Sequence, residues 1–133
     1  MEDLIKDLIK ILEEKRERMI KEISLKSNIN EENLNTEFED SLLALKGLLF
    51  QSRRLLRDEK AFVPNYRKKA VITKIPKGRV LLILPSTTPI LSCILLPLCA
   101  AISGNEVIVK PSSKSKSLAV LLNNFFRKEK FEK

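Results

Sequence analysis

Two short polar segments interrupt the most apolar part of this chain, and they carry the residue types that could bind a ligand. Residues 85–89, Pro-Ser-Thr-Thr-Pro, place three hydroxyl side chains between two prolines. Residues 110–113, Lys-Pro-Ser-Ser, place a lysine ammonium beside two serine hydroxyls. Each segment precedes a predicted helix, and the free N–H groups and dipole at a helix N-terminus favour anions. A ligand that carries phosphate or ribose would suit this combination.

Other kinds of chemistry are excluded by composition. The sequence has no histidine, so it has no Ser-His-Asp triad, no Cys-His dyad and no imidazole metal site. Neither common glycine-rich phosphate-binding pattern is present. Cys93 and Cys99 lie in one apolar run without CxxC spacing, which predicts two small buried hydrophobic residues, no disulfide and no metal site. We therefore expect a reducing, cytoplasmic setting.

Three predicted strands would position the two polar segments. Residues 67–75 are β-branched and alternating, and the turn residues at 76–78 would fold this strand back onto the next one. The apolar runs 79–84 and 105–110 predict strands buried on both faces. In an open α/β sheet, ligands bind beyond the carboxyl ends of the strands. Both polar segments follow such an end.

Helices complete this half of the chain. Residues 90–102 predict a buried helix, with Pro89 near its first turn and Gly104 in the left-handed position just after its end. Residues 111–133 predict a loop and a helix with a basic end. The order β-β-α-β-α is typical of the start of a parallel, Rossmann-like α/β sheet.

The first half of the chain predicts a pair of amphipathic helices. Apolar residues recur at helical spacing over residues 3–25, and residues 27–35 are rich in Asn and Ser and predict a loop. Residues 36–39 have the form of a capping box, with Thr36 as N-cap, so a second helix should run from there to about Asp58. Residues 61–66 predict a linker.

The uncharged run at residues 80–103 is long enough to span a membrane, but its composition argues against a span. Pro85, Pro89 and Pro97 would break a helix there and leave backbone groups unsatisfied in lipid. We therefore predict no membrane partner.

Charge is unevenly distributed along the sequence. There are 12 Lys and Arg against 14 Asp and Glu up to Tyr66, and 13 against 3 from Arg67 onward. The basic half leaves a nucleic-acid-binding module as an alternative function. Its lysines are scattered and few aromatic residues lie among them, which disfavours that alternative.

An ordered set of prolines, glycines and apolar residues runs through the second half of the chain. Its members are Pro76, Gly78, Val80, Ile83, Pro85, Pro89, Pro97, Ala100, Ala101, Gly104, Asn105, Val107, Lys110, Pro111 and Ser112. This order resembles the opening of the nucleotide-binding domain of the aldehyde dehydrogenase superfamily. The resemblance covers about two-fifths of the chain, from Pro76 to about Phe126, and the two N-terminal helices lie where that family has its leading helices.

The resemblance implies a dinucleotide ligand, NAD or NADP. Residues 1–60 would form an N-terminal helical segment, and residues 61–133 part of a nucleotide-binding α/β unit packed with it. In that family the lysine of Lys-Pro-Ser binds the adenosine ribose, which carries over to Lys110. Ser113 stands where many NAD-preferring members have Glu, so the cofactor preference stays open. The residues implied in cofactor binding are Leu84, Pro85, Ser86, Lys110, Pro111, Ser112 and Ser113.

Two departures from the family pattern qualify this interpretation. The first loop is closest to that of the CoA-acylating aldehyde dehydrogenases and acyl-CoA reductases, but it lacks their asparagine. Thr87 and Thr88 are the candidates for a remnant of the oxyanion-binding loop. The family's catalytic thiol lies far downstream of the matched region, and neither Cys93 nor Cys99 corresponds to it.

The sequence therefore predicts an N-terminal piece of an aldehyde dehydrogenase-like or acyl-CoA reductase-like oxidoreductase. It would hold part of the dinucleotide site and be inactive alone. An uncovered strand edge and apolar sheet face would favour self-association, or a companion chain that supplies the rest of the sheet and the catalytic domain. A non-catalytic assembly subunit is the second alternative.

Overall fold

The computed structural model describes residues 2–63 and 68–128. Two long helices, α1 (Glu2–Ser27) and α2 (Glu31–Leu55), come first. A strand pair, β1 (Glu59–Val63) and β2 (Lys68–Ile72), follows them. The chain then forms β3 (Arg79–Ile83), α3 (Pro89–Ile102), β4 (Glu106–Lys110), a short 3-10 helix (Ser113–Ser115) and α4 (Lys116–Lys128). This mixed fold of helices and strands confirms the predicted α/β class.

The hydrophobic core lies between the four helices. The buried residues of α1 recur at helical spacing, as predicted, and those of α2 do so from Leu34 onward. The core side chains are Ile5, Leu8, Leu12, Met19, Ile20, Ile23, Leu34, Phe38, Leu42, Leu45, Leu84, Ile90, Cys93, Ile94, Leu98, Leu118, Leu122 and Phe125. Arg16 joins α1 to α2 through hydrogen bonds to the Asn35 side chain, and its guanidinium lies 4.9 Å from the Phe38 ring centroid.

The start of α2 differs from the prediction. Asn30 caps this helix, since its side-chain oxygen accepts a hydrogen bond from the Asn33 N–H at 2.8 Å. Thr36 lies inside the helix, where its hydroxyl donates to the Glu32 carbonyl oxygen. The predicted loop at residues 27–35 is therefore confirmed only over residues 28–30, and the predicted capping box at 36–39 was wrong. The Asn30 cap and the two acidic residues of the first turn, Glu31 and Glu32, start the helix earlier.

Strand pairing also differs from the prediction. Strand β2 pairs antiparallel with β1, and it does not fold back onto β3. The predicted linker at 61–66 was wrong over residues 61–63, which belong to β1, and its remainder lies outside the described residues. In this strand pair Phe62, Val71 and Ile72 are all exposed. Burial of one face is what gives a strand its alternating apolar pattern, so β1 had no such pattern by which the sequence could predict it.

The second sheet is parallel, with β3 beside β4, and α3 connects the two strands. Helix α3 covers one face, where Leu82 and Val109 pack against the core. On the opposite face, Leu81, Ile83 and Ile108 are 60%, 69% and 47% exposed. The prediction of strands buried on both faces was therefore wrong, because only one face meets a helix within the described residues.

The backbone around α3 matches the sequence-based prediction. Pro89 begins the helix, and Gly104 follows its end with a φ of 84°. Asn105 ties this end to the turn before β3, because its side-chain oxygen accepts from the N–H groups of Lys77 and Gly78. Among the described residues, no helix combines the length and apolar character needed to cross a membrane.

Candidate functional site

The carboxyl ends of β3 and β4 coincide, as the parallel arrangement requires. Ile83 lies opposite Lys110 in the sheet register, and the Leu84 N–H donates to the Lys110 carbonyl oxygen at 3.0 Å. Both polar segments therefore leave the sheet at the same level and side by side. This is the edge where ligands bind in open α/β sheets.

The first segment presents its polar side chains to solvent. Pro85, Ser86, Thr87 and Thr88 are all exposed. Leu84, in contrast, is 5% exposed and belongs to the core. A ligand at this edge can therefore reach the hydroxyls of the loop but not the Leu84 side chain, so any cofactor contact of Leu84 is limited to its main chain.

The N-terminus of α3, which directly follows this loop, is filled by a carboxylate from another helix. Glu37 of α2 accepts hydrogen bonds at 2.8 Å from the backbone N–H groups of Ile90 and Leu91. Burial raises the pKa of Glu37, although the two amide hydrogen bonds act in the opposite direction. The sequence predicted that the free N–H groups at this helix end would attract a ligand anion. Two of those N–H groups are instead bound to the protein's own Glu37 side chain.

Glu37 was missed by sequence reasoning. It lies 53 residues before Ile90, so no local pattern joins the two. One signal was available: α3 begins with Pro89, and a helix start needs partners for its first N–H groups. That requirement does not say which distant acidic residue meets it.

The second segment forms a capped turn. The Ser112 hydroxyl oxygen accepts from the Lys114 N–H at 3.1 Å, and Ser112 is the N-cap of the 3-10 helix. Lys110 and Ser113 are exposed, and Pro111 is partly buried. The Ser112 oxygen is thus engaged in its own turn, while its hydroxyl proton can still be donated. Lys110 is the positive charge at the strand end itself.

The cysteines have no access to this edge. Cys93 is buried in the core side of α3, and burial raises its pKa to about 12. Burial also raises the pKa of Cys99, which is partly exposed. Because the thiolate is the nucleophilic form, neither residue is activated. Across residues 2–63 and 68–128, no cluster of three Cys, Asp or Glu side chains could hold a metal ion.

One cavity lies between α1 and α4. It measures about 190 Å³ and is lined by Lys15, Arg18, Met19, Glu22, Ser117, Leu118 and Leu121. None of the residues that the sequence predicted for cofactor binding lines it. Glu22 opposes the two cations there and already pairs with Lys26 at 2.6 Å.

Comparison with known proteins identifies the family. The chain is similar in structure to aldehyde dehydrogenase 21 from Physcomitrella patens, crystallised in complex with the reaction product succinate, with a TM-score of 0.79 and 17% sequence identity. The match covers 96% of this chain and 27% of that protein, so the chain spans about a quarter of its structural relative. A comparison with curated protein sequences finds no match. The sequence model of the aldehyde dehydrogenase family matches residues 2–133, and the chain belongs to that family.

Proposed function

We propose that the carboxyl ends of β3 and β4 form part of an NAD(P)-binding site in an aldehyde dehydrogenase-like oxidoreductase. The observation that carries this proposal is the alignment of the two strand ends, joined by the Leu84 to Lys110 backbone hydrogen bond. Family membership supports a dinucleotide as the ligand. Lys110 would bind the adenosine ribose, with Pro111, Ser112 and Ser113 beside it, and residues 84–86 would border the cofactor.

The charges at the edge would orient the cofactor. Lys110 is exposed at one strand end, and the Glu37 carboxylate fills the helix N-terminus that follows the other. A phosphate group is therefore favoured near Lys110 and disfavoured near the start of α3. Ser113 carries no negative charge, so an additional 2′-phosphate on the ribose would meet no repulsion from it. This arrangement is compatible with both NAD and NADP.

The redox reaction would need a nucleophile from outside residues 1–133. Cys93 is buried and its pKa is raised to about 12, and Cys99 lies in the same helix with a raised pKa. We propose that the thiol and the remaining sheet are supplied by a catalytic domain, in a longer polypeptide or in a companion chain. The loop at residues 85–89 is closest to the CoA-acylating branch, which favours an aldehyde or acyl-CoA substrate.

The exposed sheet face supports this dependence on further protein. Leu81 and Ile108 lie opposite each other in the β3–β4 register and form the centre of the exposed face, beside Ile83. Exposed apolar side chains that adjoin one another are a feature of interaction surfaces. A non-catalytic assembly subunit would use the same face, and it would differ by binding no dinucleotide.

The experiment is an equilibrium titration of the full chain with NADH and NADPH, followed by cofactor fluorescence. Lys110→Ala should weaken binding about 10- to 150-fold, because the loss of one charged hydrogen bond costs about 1.5–3 kcal/mol. Lys77→Ala is the matched control, because it removes the same charge from an exposed lysine at the opposite end of β3. Binding that is unchanged by Lys110→Ala, or equally weakened by Lys77→Ala, would refute the assignment.

A further inference from the structure

Helix α3 is capped from outside, although its own N-cap residue is a threonine. Thr88 is the N-cap, and its side chain makes no capping hydrogen bond. A threonine in this position normally accepts from the second or third N–H of its helix. Here those two N–H groups, of Ile90 and Leu91, both donate to the same Glu37 side-chain oxygen. Glu37 thus performs the role that Thr88 would otherwise fill.

The remaining groups at this helix start are also accounted for. Pro89 has no N–H to satisfy. The first bond within the helix runs from the Ser92 N–H to the Thr88 carbonyl oxygen at 3.1 Å. Thr88 is exposed and directly follows the other loop hydroxyls at the strand ends. The helix therefore does not use its hydroxyl, and Thr88 lies two residues after Ser86, the last residue of this loop proposed to border the cofactor.

We propose that Glu37 is a positioning residue of the ligand site, which caps α3 in place of Thr88 and so leaves the Thr88 hydroxyl free to bind the ligand. The identity of the ligand rests on the proposed function, whereas the capping geometry does not. The inference gives α2 a part in the site, because this helix supplies the carboxylate that keeps the loop hydroxyl available.

Two substitutions separate the charge of Glu37 from its hydrogen bonds. Glu37→Gln keeps a side-chain oxygen that can accept from both Ile90 and Leu91. Glu37→Ala removes it, and we expect Thr88 to turn inward and cap the helix. Thr88→Val removes the hydroxyl with little change in shape, and the double variant Glu37→Ala/Thr88→Val removes both caps.

Amide hydrogen exchange, read residue by residue by NMR, tests the capping in the full chain. Protection of Ile90 and Leu91 should be retained in Glu37→Gln and Thr88→Val. In Glu37→Ala one of the two amides should stay protected, and in the double variant both should exchange at least tenfold faster. Loss of protection in Thr88→Val alone would show that Thr88 is the cap and would overturn the inference.

Titration with NADH tests the consequence for the ligand. Glu37→Gln should bind within about twofold of wild type, and Thr88→Val should bind about fivefold more weakly, the effect of one hydrogen bond. Glu37→Ala should match Thr88→Val, and the double variant should be no weaker than either. Additive losses, or unchanged binding in Glu37→Ala, would overturn the positioning role, because a purely structural residue would not be coupled to Thr88 in this way.

The two proposals fail differently. If the wild-type chain binds neither NADH nor NADPH, the proposed function and the ligand half of this inference are both refuted, and the exchange pattern of Ile90 and Leu91 still decides the capping half. If wild type binds and Lys110→Ala weakens binding, but the Glu37 and Thr88 variants are not coupled, the proposed function stands and this inference is refuted.

Discussion

The three glycines of this chain provide a test of the close approach between Gly104 and Pro76. Gly104 has a φ of 84°, and a Cβ atom built on it would lie 2.8 Å from the Pro76 Cγ. Gly78 has a φ of 96° with no atom within 4 Å of such a Cβ, and Gly47 lies inside α2 with the same open space. Alanine at position 104 therefore meets both backbone strain and overlap with Pro76. Alanine at position 78 meets backbone strain alone, and alanine at position 47 meets neither.

The expected free energies of unfolding follow from these environments. Gly47→Ala should stabilise by about 0.5–1 kcal/mol, the helix propensity difference. Gly78→Ala should destabilise by about 1–2 kcal/mol, the cost of a left-handed conformation with a Cβ atom. Gly104→Ala should destabilise by about 2–5 kcal/mol, because the overlap with Pro76 adds an overpacking cost of about 1–3 kcal/mol to the cost of the left-handed conformation.

Urea unfolding followed by far-UV circular dichroism would measure the free energy of unfolding of the three alanine variants. Gly104→Ala would also be measured in a protein that carries Pro76→Ala. That substitution removes Cγ, and the remaining Pro76 Cβ is at an ordinary contact distance of 3.6 Å. In the double variant, Gly104→Ala should cost no more than Gly78→Ala. Equal costs for Gly104→Ala and Gly78→Ala in the wild-type background, or no coupling to Pro76→Ala, would refute the reasoning.

Three further predictions concern thiols, pH and the exposed sheet face. A maleimide at pH 8 should label Cys99 first and Cys93 only as fast as the protein unfolds, and equal rates would contradict the burial argument. The folded state raises the pKa of Glu37, so the free energy of unfolding should fall as pH rises from about 4.5 through the folded pKa and the carboxyl ionises. Urea unfolding of Glu37→Gln should not show this fall, because glutamine does not ionise. Leu81→Glu should change stability by less than about 0.5 kcal/mol but reduce self-association in sedimentation, whereas unchanged association would exclude this face as the interface.

The sequence could predict those elements whose bounds are set by residues within or next to the element itself. The β3–α3–β4 unit combines apolar runs with Pro89 at the helix start and Gly104 at the helix end, and each of these residues restricts its own backbone. The coincidence of the two strand ends then follows from parallel pairing. Thus Lys110 could be placed beside the first loop without knowledge of any contact.

Elements that depend on pairing were harder to predict. Strand β1 has Ala61 and Phe62 exposed, so neither periodicity nor burial distinguishes it from a linker. It is defined by its antiparallel register with β2 and by the Glu59–Lys74 ion pair at 2.7 Å. Sequence periodicity reflects burial against a core, and none of the side chains that the structure describes in this strand pair is buried.

The same reason explains the error over the sheet faces. Continuous apolar runs such as 79–84 are typical of strands covered on both sides, and the inference from such a run to two-sided burial assumes that the whole sheet is present. In this chain Leu82 meets the core while Leu81 and Ile83 face outward. An apolar run therefore does not by itself show how many faces of a strand are covered.

Glu37 shows that the need for hydrogen-bond partners at a helix start gives information that sequence periodicity does not give. A helix leaves its first N–H groups without partners inside the helix, and a partly buried helix start must obtain partners elsewhere. In α3 proline removes one of these groups, and Thr88 is the N-cap residue, whose side chain could have accepted from the others. Because a carboxylate from α2 accepts those hydrogen bonds, the helix does not require the threonine hydroxyl, which stays available for the ligand contact that we propose. A polar residue beside a helix start is therefore a stronger site candidate when another residue is shown to cap the helix.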